Sequence, residues 1–150
     1  YNIILSEIDG QRVQRYPSVL SFRYLSNYSL PHQGTFIRKK LFDKYGYYDE
    51  NLKICSDWAF FLITLTKYNV SYKYVDKVLA VTDRNGLSCN PLNFELIQNE
   101  RNEVLANYFQ FFIDDYRQLL IYEECLDKLK SNFVCRIIIK IFKLLGRVDL

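Results

Sequence analysis

The residue best placed to do chemistry is Asp57, a carboxylate at the start of an apolar helical run (Trp58, Phe61, Leu62, Leu65) that follows the polar loop Asp49-Glu50-Asn51. Presented into a cleft, such a group can take the proton from a hydroxyl while that oxygen attacks an electrophilic carbon. The same position suits a first-turn acid that only interacts with the helix dipole. The residues alone leave both readings open. His32, the single histidine, stands beside Gln33 after Pro31, where polar side chains face solvent or a ligand. One imidazole with no acid at ligand spacing is not a metal motif. Asp49 and Glu50 are neighbours on one loop and so diverge in direction; their expected task is to orient that loop, with Gly46 permitting the turn before it. Arg38-Lys39-Lys40 reads either as a solvated helix face or as a contact for a diphosphate. Asn85-Gly86-Leu87-Ser88 reads as a loop that closes over a ligand.

Several elements must position these groups. Asn2 to Ser6, then Asp9-Gly10, then Gln11 to Tyr16 predicts a strand, a tight turn and a strand, because Asp-Gly supplies the positive φ of a two-residue hairpin. Ser18 to Ser29 is ambiguous, although Leu20, Tyr24, Leu25 and Tyr28 are compatible with a helix. Thr35 to Ile37 predicts a short strand, and Arg38 to Tyr45 a short helix closed by Gly46. Ser56 is the expected cap of a helix reaching about Tyr68. Alternation predicts strands over Val70 to Val75 and Lys77 to Thr82. From Phe94 to about Lys130 apolar residues recur at helical spacing without Gly or Pro, and Phe133 to Leu145 predicts a last helix.

Composition bounds the class. The chain has 150 residues, 49% hydrophobic and 25% charged, with five Gly and three Pro, which excludes disordered and collagen-like chains. One domain is the default at this length, burying roughly 70% of the surface of the unfolded chain. A net charge of +3 does not argue for nucleic acid. Cys55, Cys89, Cys125 and Cys135 form no CxxC and have zinc-like spacing nowhere, so free thiols in a reducing cytoplasm are expected. Tyr1 to Leu5 is not a signal peptide, and no run reaches the roughly 20 apolar residues of a membrane span. With Tyr1 first and no Met, the chain reads as a piece or a processed form of a longer one.

Taken in order, Leu30-Pro31-His32-Gln33-Gly34-Thr35-Phe36-Ile37-Arg38, Phe42 through Gly46 to Leu52, Ser56-Asp57-Trp58-Ala59-Phe60-Phe61-Leu62, Val75 to Val81 and Asn85-Gly86-Leu87-Ser88 resemble the C-terminal half of family 2 glycosyltransferases. The resemblance covers roughly Tyr1 to Asn90. It implies an α/β chain, the C-terminal portion of a Rossmann-like GT-A fold followed by an α-helical tail, divided into an acceptor-side part at 1–91 and a tail at 92–150. It implies an inverting enzyme of polysaccharide synthesis that moves a sugar from a nucleotide-sugar donor to a saccharide or lipid-linked acceptor. Asp57 would then be the catalytic base, with His32, Gln33, Trp58, Asn85, Gly86 and Ser88 touching substrate; Ser56 stands where many members have Glu. Tyr45, Tyr47 and Tyr48 would either line a sugar platform or belong to the core. A divalent ion, Mg or Mn, would be held by a donor half that this sequence does not contain, since Asp83 and Asp114-Asp115 lack the strand-end context for it. No metal site is expected within the chain itself.

The C-terminal segment is a second feature. Arg136, Lys140, Lys143 and Arg147 draw one basic stripe, while Phe133, Val134, Ile137, Ile138, Ile141 and Phe142 fill much of the remaining surface. Packing against a partner competes with contact between residues 133–147 and an anionic membrane surface, which would place the protein in the cytoplasm, peripheral at the inner face of the membrane. The alternative to an enzyme is a non-catalytic helical binding or assembly module, in which the long helices are the working surface.

Overall fold

The computed structural model describes residues 2–7, 10–83 and 85–144. The chain forms two compact units, Tyr1–Tyr108 and Phe109–Leu150.

In the first unit β1 (Asn2–Glu7) and β2 (Gly10–Arg15) form an antiparallel hairpin with Ile4 opposite Val13. Asp9, half of the expected turn, lies outside the described residues. β3 (Val78–Thr82) joins the other edge of β1 in parallel, giving the order β2-β1-β3, with a register shift between Asn2 and Ile3. Between β2 and β3 the chain is helical. α1 (Phe22–Asn27) begins where Ser21 Oγ accepts from Tyr24 N, and α2 (Lys39–Tyr45) ends at Gly46, whose φ of 91° only glycine adopts readily. The His32–Gly34 stretch is a 3-10 turn that lies beside β3.

α3 (Ser56–Leu62) is the centre of this unit. Trp58, Ala59, Phe60, Phe61 and Leu62 are buried in succession, so the helix is enclosed on every side. It runs on into a π turn at Ile63–Lys67, where Thr64 Oγ1 donates to Phe60 O at 2.6 Å. Leu25 and Leu30, and Val104 and Leu105 of α4 (Phe94–Ser131), are buried as well.

At Phe109 α4 departs from helical geometry (φ −130°, ψ 23°), at the start of the second unit. The remainder of α4 leads into α5 (Phe133–Leu144), where Asn132 Oδ1 accepts from Val134 N at 3.0 Å and so caps the last helix.

This architecture corrects the expected fold. A Rossmann-like GT-A domain is built from repeated strand-helix-strand units around an extended parallel sheet. Among the described residues there is one hairpin with a single parallel neighbour, and helices make up most of the rest. Thr35 to Ile37 and Val70 to Val75, expected as strands, are irregular. In the latter segment Tyr72 is committed to tertiary contact, since its hydroxyl accepts from Leu20 N at 2.8 Å.

Candidate functional site

The expected base, Asp57, lies in the first turn of α3 and is half-buried. One carboxylate oxygen is already engaged, as Oδ1 accepts from Trp58 N at 2.7 Å. Ser56 does not cap the helix. Cys55 occupies the cap position, and no side chain there makes the capping bond.

Around Asp57 the structure gathers an aromatic neighbourhood. Phe42 stacks on Phe60 with ring centroids 4.8 Å apart, and Tyr48 meets both rings edge-on. Tyr48 also meets the exposed His32 ring at 6.2 Å, edge to face. Burial raises the pKa of the Tyr48 phenol, and the nearby Asp57 charge raises it further. His32, Tyr48 and Asp57 are therefore near neighbours, with Gln33 exposed on the 3-10 turn beside His32. The arrangement has the character of packing: interlocked rings bury apolar area and fix the loop ahead of α3.

Trp58 differs from a substrate platform. It is 2% exposed, and its indole Nε1 donates to Leu25 O at 2.7 Å. The 85–90 segment is held by bonds of its own. Asn85 N donates to Asp83 Oδ1 at 3.2 Å, Cys89 N to Gly86 O at 3.0 Å, and Asn93 Nδ2 to Leu87 O at 2.9 Å. Gly86 and Ser88 are exposed.

Sequence reasoning missed the most constrained polar group. Glu100, on α4, is 6% exposed, and its carboxylate accepts three backbone N–H bonds from the loop entering α3: Lys53 N at 2.7 Å, Ile54 N at 3.1 Å and Cys55 N at 2.9 Å. Burial raises its pKa, but the bonds from Cys55, Lys53 and Ile54 outweigh burial and leave the net value lowered. Next to it Arg101 lies over the Trp58 ring at 5.0 Å and donates from Nη1 to Asn27 O at 2.8 Å. The thiol of Cys55 is pushed up to about 11 by burial, against the opposing pull of Arg101. The signal was present in the sequence. Glu100 and Arg101 interrupt an apolar helical face formed by Ile97, Val104 and Leu105, and a charged residue in such a row needs a buried partner.

The second unit carries another kind of surface. Phe111, Phe112, Leu119, Tyr122, Leu126 and Leu129 of α4 are exposed, as are Val134, Ile137, Ile138 and Ile141 of α5. Among the described residues α5 does not fold back along α4.

No family model, no curated protein and no solved structure matches this chain. The fold corrects the glycosyltransferase reading. The extended parallel sheet it requires is absent from the described residues, which hold one hairpin with a single parallel neighbour. An inverting sugar-transfer activity, a nucleotide-sugar donor and a saccharide or lipid-linked acceptor lose their basis with that fold. The anionic membrane surface expected against residues 133–147 from their basic stripe is corrected together with those partners; residues 145–147 lie outside the described ones. No described helix is long and apolar enough to cross a membrane.

Proposed function

We propose that the chain is a non-catalytic assembly module whose second unit docks against an apolar-faced helical protein surface. The observation that carries this reading is the exposed apolar surface from Phe111 to Leu144. In α5, Val134, Ile137, Ile138 and Ile141 share one side of the helix, and Arg136 and Lys140 lie on the other. A 12-residue helix with its apolar side in water is marginal by itself and is stabilised when that side is covered. Contiguous apolar patches of this kind mark interaction sites on soluble domains. The first unit serves as the scaffold, with the Glu100 and Arg101 contacts fixing the start of α4. Asp57 is in this reading a first-turn helix acid, and the module works in a reducing compartment, in keeping with its four free cysteines.

The test is the size of the protein in a gently prepared extract of its native host. Tagged protein should elute from size exclusion in an assembly well above 18.0 kDa, and Ile137→Lys with Ile141→Lys should release it. Elution of the unaltered protein as a free monomer refutes the reading.

A further inference from the structure

We infer that the partner of α5 is a different protein that offers an apolar groove between helices, bordered by carboxylates, and that α5 lays its Val134 side into that groove. This rests on the assembly reading above and names the chemistry of what the surface docks to.

Val134, Ile137, Ile138 and Ile141 stand at i, i+3, i+4 and i+7, the spacing by which one side of a helix anchors in a groove. All four are between 44% and 61% exposed, so this side is uncovered along the roughly 18 Å of the helix. Each anchor is β-branched, and in a helix such side chains are held largely in one rotamer. The knobs are therefore preformed, and docking them costs little side-chain entropy. Stiff knobs at fixed spacing match a shaped groove better than a fluid surface. The second unit supplies no such groove itself, because among the described residues α5 does not fold back along α4.

Charge says what borders the groove. Residues 128–144 carry Lys128, Lys130, Arg136, Lys140 and Lys143 and no acid. On α5 the exposed Lys140 follows Ile137 by three positions and so lies next to it at the margin of the apolar side, with the exposed Arg136 one turn back on the same stripe. Sinking the anchors leaves the Lys140 head at the lip of the groove, where its stem reaches over the edge to a carboxylate. Arg136 adds to the attraction from further off and steers the encounter. A second α5 brings the same cations and no acid, so two copies paired through this helix leave the charge unanswered.

The test works on the assembly in native extract. A water-soluble carbodiimide joins a lysine amine to a carboxylate in contact with it and leaves as its urea; peptide mapping should find Lys140 joined to an Asp or Glu of a different protein. Arg136→Glu with Lys140→Glu leaves the four anchors untouched and should raise about tenfold the concentration at which half of the tagged chain elutes in the assembly. Arg136→Lys with Lys140→Arg keeps the charge and should leave that concentration unchanged. Ile138→Ala should raise it about 30-fold, as the loss of a central anchor. Emission of the single Trp58 checks that the first unit of each variant remains folded. An assembly indifferent to the charge reversal, or one in which Lys140 couples to no carboxylate, overturns the acidic border and leaves the assembly reading standing. Coupling only to acids of this same sequence overturns the inference in favour of a second copy. An assembly that floats with lipid in a density gradient and yields no coupled protein overturns it in favour of a lipid surface. A free monomer in the extract removes both the inference and the reading beneath it.

Discussion

Replacing Glu100 is the sharpest probe of the first unit. Its carboxylate accepts from three consecutive backbone N–H groups, and the three donors differ in their access to water. Lys53 is exposed, Ile54 half-buried and Cys55 buried, so in Glu100→Ala the Lys53 N–H rehydrates while the Cys55 N–H is left without a partner. A bond to a charged group contributes about 1.5–3 kcal/mol, and a stranded buried donor costs about 1–3 kcal/mol. With one donor fully stranded and one partly so, Glu100→Ala should destabilise the unit by about 3 kcal/mol. Glu100→Gln keeps one acceptor oxygen and should cost about 2 kcal/mol. The larger loss corresponds to a fall in Tm of about 10–15 °C for a unit of this size. Urea titration followed by Trp58 emission measures it, because that ring lies in the same unit, under Arg101. A pH arm tests the charge separately. The folded pKa of Glu100 is lowered from 4.5, so its contribution is complete above that value and disappears as pH falls through the lower folded value. Glu100→Gln should lack that part of the acid slope. A loss under about 0.5 kcal/mol in Glu100→Ala, the range of ordinary surface changes, would refute the role assigned to this carboxylate.

Other changes act by different mechanisms. Gly46→Ala meets no atom within 4 Å, so its cost is purely that of holding φ at 91°, about 1–3 kcal/mol by thermal or urea denaturation. Leu62→Ala, at a side chain with 0% exposure, should lose about 2–5 kcal/mol through the cavity it opens, read in the same titration. In native protein at neutral pH, maleimide should modify the exposed Cys89 and Cys125 well before Cys55, whose thiol is buried and has its pKa raised to about 11; peptide mapping gives the order.

Local signals were legible in the sequence and distant ones were not. The hairpin, β3, the Gly46 stop and the two long helical stretches each declare themselves through neighbours a few residues away. The start of α3 shows the limit. Ser56 looks like a cap, yet the loop entering the helix is held by Glu100, far along the chain, and no local pattern contains that bond. Val70 to Val75 alternates like a strand, but alternation without a pairing strand does not make one, and Tyr72 bonds to Leu20 instead. Motif order around His32 and Asp57 pointed to a fold whose sheet the described residues do not form; those residues come together as ring packing. On α4 the repeat of Leu119, Leu126 and their neighbours showed a helix, and only their exposure distinguished an uncovered face from a core.

The parallel neighbour of β1 also sets a timetable for folding. Asn2 pairs with Arg15 across a hairpin but with Val78 only after the intervening helices have been made. Closing that loop carries an entropic cost of about 4 kcal/mol from the logarithm of its length, beyond a fixed term. On a ribosome adding about 5–20 residues per second, the free edge of β1 waits roughly 4–15 s for β3. During that interval the nascent hairpin has one row of unpaired backbone groups on offer to any neighbouring strand. Slowing synthesis before Val78 should thus raise the share of aggregated protein without altering the stability of the molecules that do fold.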